Sequence, residues 1–216
     1  MKIISLGGVG GCIITQAVQK FIYDQERYPY DWLLANQSFV IRTLLDNSTW
    51  FDFEDETEFH HNNYEFSIKE RDGMIVHDFS SYENYKNQRN TVKETYKRRF
   101  DRLNQIFQSN EPIMFVRITN NTPMNDNWIG RFESVPDDIP KWFDFIQNLE
   151  QTYKKPVYLC IVTMNQTEYG KYKDRLPNTG RFFMRMYDNS NVNGNEENIT
   201  EFSKLLHEVF TDLVRT

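Results

Sequence analysis

The sequence predicts an α/β fold: a mainly parallel sheet with helices on both faces, a three-layer, Rossmann-like arrangement in a single domain spanning residues 1–216. Two observations carry this. Short apolar, β-branched runs alternate along the chain with stretches whose apolar residues recur at helical spacing. Such alternation marks strands laid parallel and covered by their connecting helices. The runs are also apolar almost continuously, as strands buried on both faces are. No internal repeat interrupts the pattern, and no stretch rich in Pro, Gly or Ser marks a domain boundary.

Taken in order, "KIISLG" is an apolar run closed by glycine and reads as the first buried strand. Ile13, Ile14, Ala17, Val18, Phe21 and Ile22 follow with a helical period. Phe39, Val40, Ile41, Leu44 and Leu45 mark a second helix from Ser38 to Leu45. The acidic, aromatic segment "WFDFEDETEFHHNNYEF" has no clean period and reads as loop with a little strand. "GMIVHDF", opened by Gly73, is another buried strand. From Asn90 to Gln108, the residues Val92, Tyr96, Phe100, Leu103 and Phe107 line one face of a helix. Pro112 then introduces the strand "IMFVRIT". Asp137 or Asp138 caps a further helix, with Pro140 in its first turn and Trp142, Phe143, Ile146 and Leu149 as its apolar residues. "PVYLCIVTMN" and "RFFMRMYD" are the last strands. After the polar loop "DNSNVNGNEEN", a final helix carries Ile199, Phe202, Leu205, Leu206, Val209, Phe210 and Leu213.

Composition narrows the function. The chain has 216 residues, a formal charge of -6 and a sequence pI near 5.3. A phosphate-backbone surface needs clustered excess cation, so no nucleic-acid partner is expected. The basic stretch "KETYKRRFDRL" is interleaved with Glu94 and Asp101 and reads as a solvated helix face. No run approaches the roughly 18 apolar residues of a membrane span. The apolar stretch from Ile3 to Val9 is broken by glycines and is too short for a signal peptide. A cytoplasmic protein with no membrane partner is the expectation. A chain of this length buries roughly 70% of its unfolded surface, so no disulfide staple is required. Cys12 and Cys160 lie far apart, and Cys160 sits within an apolar strand where a thiol acts as a small hydrophobe.

The stretch "SLGGVGGC", Ser5 to Cys12, poses the functional question. Gly8-Val9-Gly10 is the first half of a dinucleotide loop, but Ile13 stands where the third glycine belongs. A Walker-type loop would end in Lys-Ser/Thr, which is absent. Strand, glycine turn and helix still suit an anion at the first helical amides, so Gly8, Gly10 and Gly11 are candidate substrate-binding positions. Cys12 at the start of the helix is a candidate nucleophile, because helix N-termini favour the thiolate. The alternative is a buried, unreactive cysteine. A thiol nucleophile needs a base. Of four histidines, His77 closes the "MIV" strand and precedes Asp78; His60, His61 and His207 have no supporting pattern. If that strand runs parallel to the first, His77 and Cys12 emerge at the same carboxyl edge. Arg117, Asn120 and Asn165 end the other strands there and are candidates to grip an anionic substrate. No metal site or cofactor is expected.

Several fragments together resemble the family described as papain-like cysteine peptidase domains of bacteria and large DNA viruses. They are Ser5-Leu6-Gly7 with Cys12, Pro29-Tyr30-Asp31-Trp32, His77-Asp78, Arg98-Arg99 and Phe115-Val116-Arg117, over about the first 120 residues. The turn before Cys12 is two residues longer than the family opening, so either Cys12 or Gly10 takes the place of the family cysteine. The resemblance implies a cysteine-dependent hydrolase, peptidase-like or acyltransferase, with a peptide or small-molecule substrate. It also implies an α+β papain-like core as the alternative architecture. Cys12 would attack, His77 would act as base, and Asp78 or Asp31 would orient the imidazole. Two other readings stay open. One is a transferase whose glycine turn and Arg117 hold a phosphorylated or nucleotide-sugar donor, with Asp31 or an acid of "FDFEDE" as base. The other is a non-catalytic binding module. The sequence leaves substrate and oligomeric state open.

Overall fold

The computed structural model describes residues 1–8, 11–22, 26–46, 59–60, 65–68, 72–75, 78–119, 135–174, 181–187 and 196–215. Its centre is a four-stranded parallel sheet in the order β1 (Lys2–Ser5), β6 (Ile113–Ile118), β7 (Val157–Thr163), β8 (Phe182–Met186). Helices cover both faces, as the alternation of runs requires. Side chains in these strands alternate between two cores with the period of the pleat. Ile3, Met114, Val116, Cys160 and Val162 face α1 (Gly11–Ile22) and α6 (Glu196–Arg215), packing with Ile14, Ala17, Phe202, Leu206 and Val209. Ile4, Leu6, Phe115, Leu159 and Ile161 face the opposite core, with α3 (Tyr82–Gln108) and α4 (Ile139–Tyr153).

The helix ends follow local chemistry. α3 begins earlier than its apolar stripe, because Ser81 caps it by accepting a 3.0 Å bond from the Asn84 amide. α4 starts with Pro140 in its first turn, but Asp138 makes no side-chain cap bond. Its neighbour Asp137 is engaged elsewhere. α4 ends at Lys154, whose left-handed φ of 54° returns an amide to the Glu150 carbonyl. The short α5 (Gln166–Tyr172) carries no apolar period that the sequence would betray. No helix is long and apolar enough to cross a membrane, among the described residues.

One feature departs from expectation. Met74 and Ile75 of the "MIV" run are not part of the parallel sheet; Val76 lies outside the described residues. β5 (Gly73–Ile75) lies in a second, antiparallel sheet ordered β2 (Leu33–Ala35), β5, β4 (Glu65–Ile68), β3 (Phe59–His60). Strands of three residues carry too little pattern to reveal their partners. α2 (Gln37–Asp46) follows β2, and its Phe39 and Val40 join the same core as α3 and α4. The parallel order runs β1, β6, β7, β8 without reversal. Among the described residues, then, no reversal of strand order forms a crevice in it.

Candidate functional site

The glycine turn is built for close packing. After β1, Gly7 and Gly8 take φ values of 67° and 99°. A Cβ at Gly7 would stand 2.7 Å from the Leu33 carbonyl oxygen, and one at Gly8 would stand 2.7 Å from that of Ile118 and 2.8 Å from Arg117 Nη1. Both positions need glycine for conformation and for space. Gly8, a candidate substrate contact, is buried against backbone and guanidinium. Gly11 opens α1, and Gly10 lies outside the described residues.

Cys12 is the second residue of α1 and is half-buried. Burial pushes its thiol up to about 11, outweighing the opposing effect of its backbone hydrogen bond. Burial thus works against the thiolate expected at the helix end. Cys160 is fully enclosed and pushed higher, to about 12. Iodoacetamide should label Cys12 at pH 7.5 about 100-fold or more slowly than an ordinary thiol, with a rate still climbing at pH 9. A rate that levels off below pH 8 would contradict this.

Arg117 is equally well accounted for. Its side chain and that of Asp137 are both 0% exposed. Nε and Nη2 donate to the two Asp137 oxygens at 2.9 and 2.8 Å, and Nη1 donates to the Leu6 carbonyl at 3.1 Å. Trp142 Nε1 donates to Asp137 at 3.1 Å, and the guanidinium lies 5.5 Å from the Trp142 ring centre. The expected anion clamp is instead an internal tie that anchors the turn after β1, because Asp137 already meets its charge. Asn165 caps α5, accepting from the Glu168 amide at 3.1 Å. Glu168 in turn accepts from Thr163 and Thr119 at 2.7 and 3.1 Å, tying the ends of β6 and β7 together. Asn120 and His77 lie outside the described residues. The expected meeting of His77 with Cys12 assumed a strand parallel to β1; β5 runs antiparallel to β2 in the other sheet.

What the structure brings together is a different constellation. Arg27, Trp32, Asp78 and Arg99 line one cavity of about 290 Å³. Three separate segments supply them: the turn before β2, the approach to α3, and the middle of α3. Trp32 holds a positive φ of 65° without being glycine. Strain of this kind costs about 1–3 kcal/mol and persists where surroundings impose it, often at sites. Arg27 lies with its Cζ 5.5 Å from the Trp32 ring centre. Asp78 accepts from the Tyr96 hydroxyl at 2.8 Å, and Arg99 stacks 4.5 Å from the Tyr96 ring centre. Burial first, and then the Asp78 charge, drives the Tyr96 phenol upward, so it stays a hydrogen-bond donor.

Asp31 sits behind this wall, 4% exposed. Its Oδ1 accepts from Thr15 at 3.3 Å and its Oδ2 from the Tyr28 amide at 2.7 Å. It therefore fixes the turn carrying Arg27 and Trp32 and fastens that turn to α1. Burial raises its carboxyl to about 6, against the lowering effects of the Tyr28 amide, Arg99, Thr15 and Arg27. An acid with a raised folded pKa contributes most stability below its unfolded pKa of about 4. That contribution is lost as pH rises through the folded value. Compared with Asp31→Asn, the wild type should lose about 1–2 kcal/mol of relative stability between pH 5 and pH 8. Urea titrations at both pH values check this, and a difference of opposite sign would refute it.

Sequence reasoning did not single out Arg27 or Arg99 as site residues. Arg99 stood in the resemblance motif, but a cation on a charged helix reads as solvent-facing until its burial is known. Among the described residues no group of three His, Cys, Asp or Glu side chains could hold a metal ion. Comparison with protein-family models, curated proteins and solved structures finds no match to this chain.

Proposed function

We propose that this chain is an enzyme that performs hydrolysis or group transfer on a small molecule seated in the Arg27–Trp32–Asp78–Arg99 cavity. The observation that carries the reading is the convergence of a carboxylate, two guanidiniums and a strained tryptophan on one cavity. Asp78 is the general base: its carboxylate faces the cavity, oriented by the Tyr96 hydroxyl, and takes a proton from water or an acceptor hydroxyl. Trp32 offers an apolar wall, and Asp31 positions it. A volume of about 290 Å³ lies at the small end of ligand sites, which favours a compact molecule over a dinucleotide or long peptide. The donor-binding transferase in its first form is less favoured, since Gly8 and Arg117 are buried in packing.

A cysteine-dependent hydrolase is the second reading. It is favoured by one link: Cys12 stands one turn before Thr15, which bonds Asp31 beneath the cavity wall. A panel of chromogenic esters, amides and phosphoesters, together with nucleotide donors, tests both. Turnover abolished by Asp78→Asn and kept by Cys12→Ser supports the first reading. The reverse pattern supports the second, and binding without any turnover would leave a non-catalytic module.

A further inference from the structure

Arg99, whose guanidinium meets the Tyr96 ring, has one nitrogen to spare. Arg99 is 8% exposed, yet among the described residues its Nη1 is buried without a hydrogen-bond partner. A buried guanidinium N–H left unsatisfied is costly, and natural proteins seldom retain one without a use. The neighbouring acids do not satisfy it. Asp31 accepts from Thr15 and Tyr28, and Asp78 accepts from Tyr96; the Arg99 charge acts on Asp31, but neither acid bonds Arg99 Nη1. Arg99 sits in the middle of α3, so no helix terminus explains its placement. A second guanidinium, Arg27, lines the same cavity from the exposed side.

We infer that Arg99 and Arg27 together hold an oxyanion of the substrate, a phosphoryl or carboxylate group. Arg99 donates from the floor and Arg27 from the rim. The planar fork of arginine matches both groups through paired, charge-assisted bonds. The anion leaves Asp78 at the cavity wall to act on the atoms beyond it. This deepens the proposed function, because it names the chemical class that the cavity selects, and it rests on the cavity being the reaction site.

The test is calorimetric titration of the full chain with inorganic phosphate and with acetate, at constant ionic strength held with chloride. Binding of phosphate or acetate beyond chloride is expected, and the tighter of the two names the group. Arg99→Gln should abolish it, and Arg27→Gln should weaken it about tenfold or more. Arg27 is exposed, so its variant keeps the test decisive even where Arg99→Gln fails to fold. The inference is overturned by no binding above chloride, or by binding unchanged in the folded Arg27→Gln protein. Asp78→Asn separates the two claims. Anion binding kept with no turnover in any protein leaves the oxyanion site standing without the enzyme. Asp78-dependent turnover of neutral substrates, without anion binding, leaves the enzyme standing without the oxyanion site.

Discussion

Asp137→Ala should destabilise the protein by about 3–5 kcal/mol, because it leaves a buried guanidinium without its counter-charge. Arg117 and Asp137 are both wholly enclosed, and two of the Arg117 nitrogens bond this one carboxylate. The loss extends beyond the pair. Trp142 Nε1 also donates to Asp137, and the Arg117 Nη1 bond to Leu6 holds the turn in which Gly8 packs against the guanidinium. Removing the acid thus frees the end of β1 as well as the start of α4. Replacing both partners by apolar residues, as in Asp137→Leu with Arg117→Met, should recover much of the stability, since the cost lies in the uncompensated charge. Urea unfolding with an unchanged slope is the measurement. A single-variant loss below about 1 kcal/mol would show that the pair is not buried as described.

Asp78→Asn should lower kcat/KM on any turned-over substrate by about 10²–10⁴-fold, the usual contribution of a positioned general base. The change keeps the size of the side chain and can still accept the Tyr96 hydroxyl, so stability should move little. Asp31→Asn should act more mildly, because Asp31 is buried and bonds Thr15 and the Tyr28 amide instead of lining the cavity. It is a positioning residue. A loss in Asp31→Asn as large as in Asp78→Asn would assign the proton transfer to the wrong acid.

The parallel sheet was legible in the sequence because its two central strands are long and buried on both faces. "IMFVRI" and "VYLCIVT" leave little choice of placement. The antiparallel sheet was not legible, since β2 and β5 have three residues each and their pairing is a tertiary fact. The glycine turn was read as a place for a substrate anion, and what packs against Gly7 and Gly8 is the protein's own backbone at Leu33 and Ile118. Arg117 shows the same limit. A cation ending an apolar strand looks alike whether it awaits a ligand or meets a buried Asp twenty residues on. Cys12 was placed at a helix start, yet the sequence carried no information on how far the site is desolvated. Asp31, Trp32, Asp78 and Arg99 were all present in the resemblance fragments. Only the folded chain brings three of them to one cavity and places Asp31 behind its wall.

The central claim is that the working site is this cavity and not the glycine turn. A crystal structure of the chain soaked in inorganic phosphate tests it most directly. The account predicts an ion within hydrogen-bond distance of Arg99 Nη1, with Arg27 turned toward it. An ion seated instead on the first amides of α1 beside Cys12, with the Arg99 cavity empty, would contradict it.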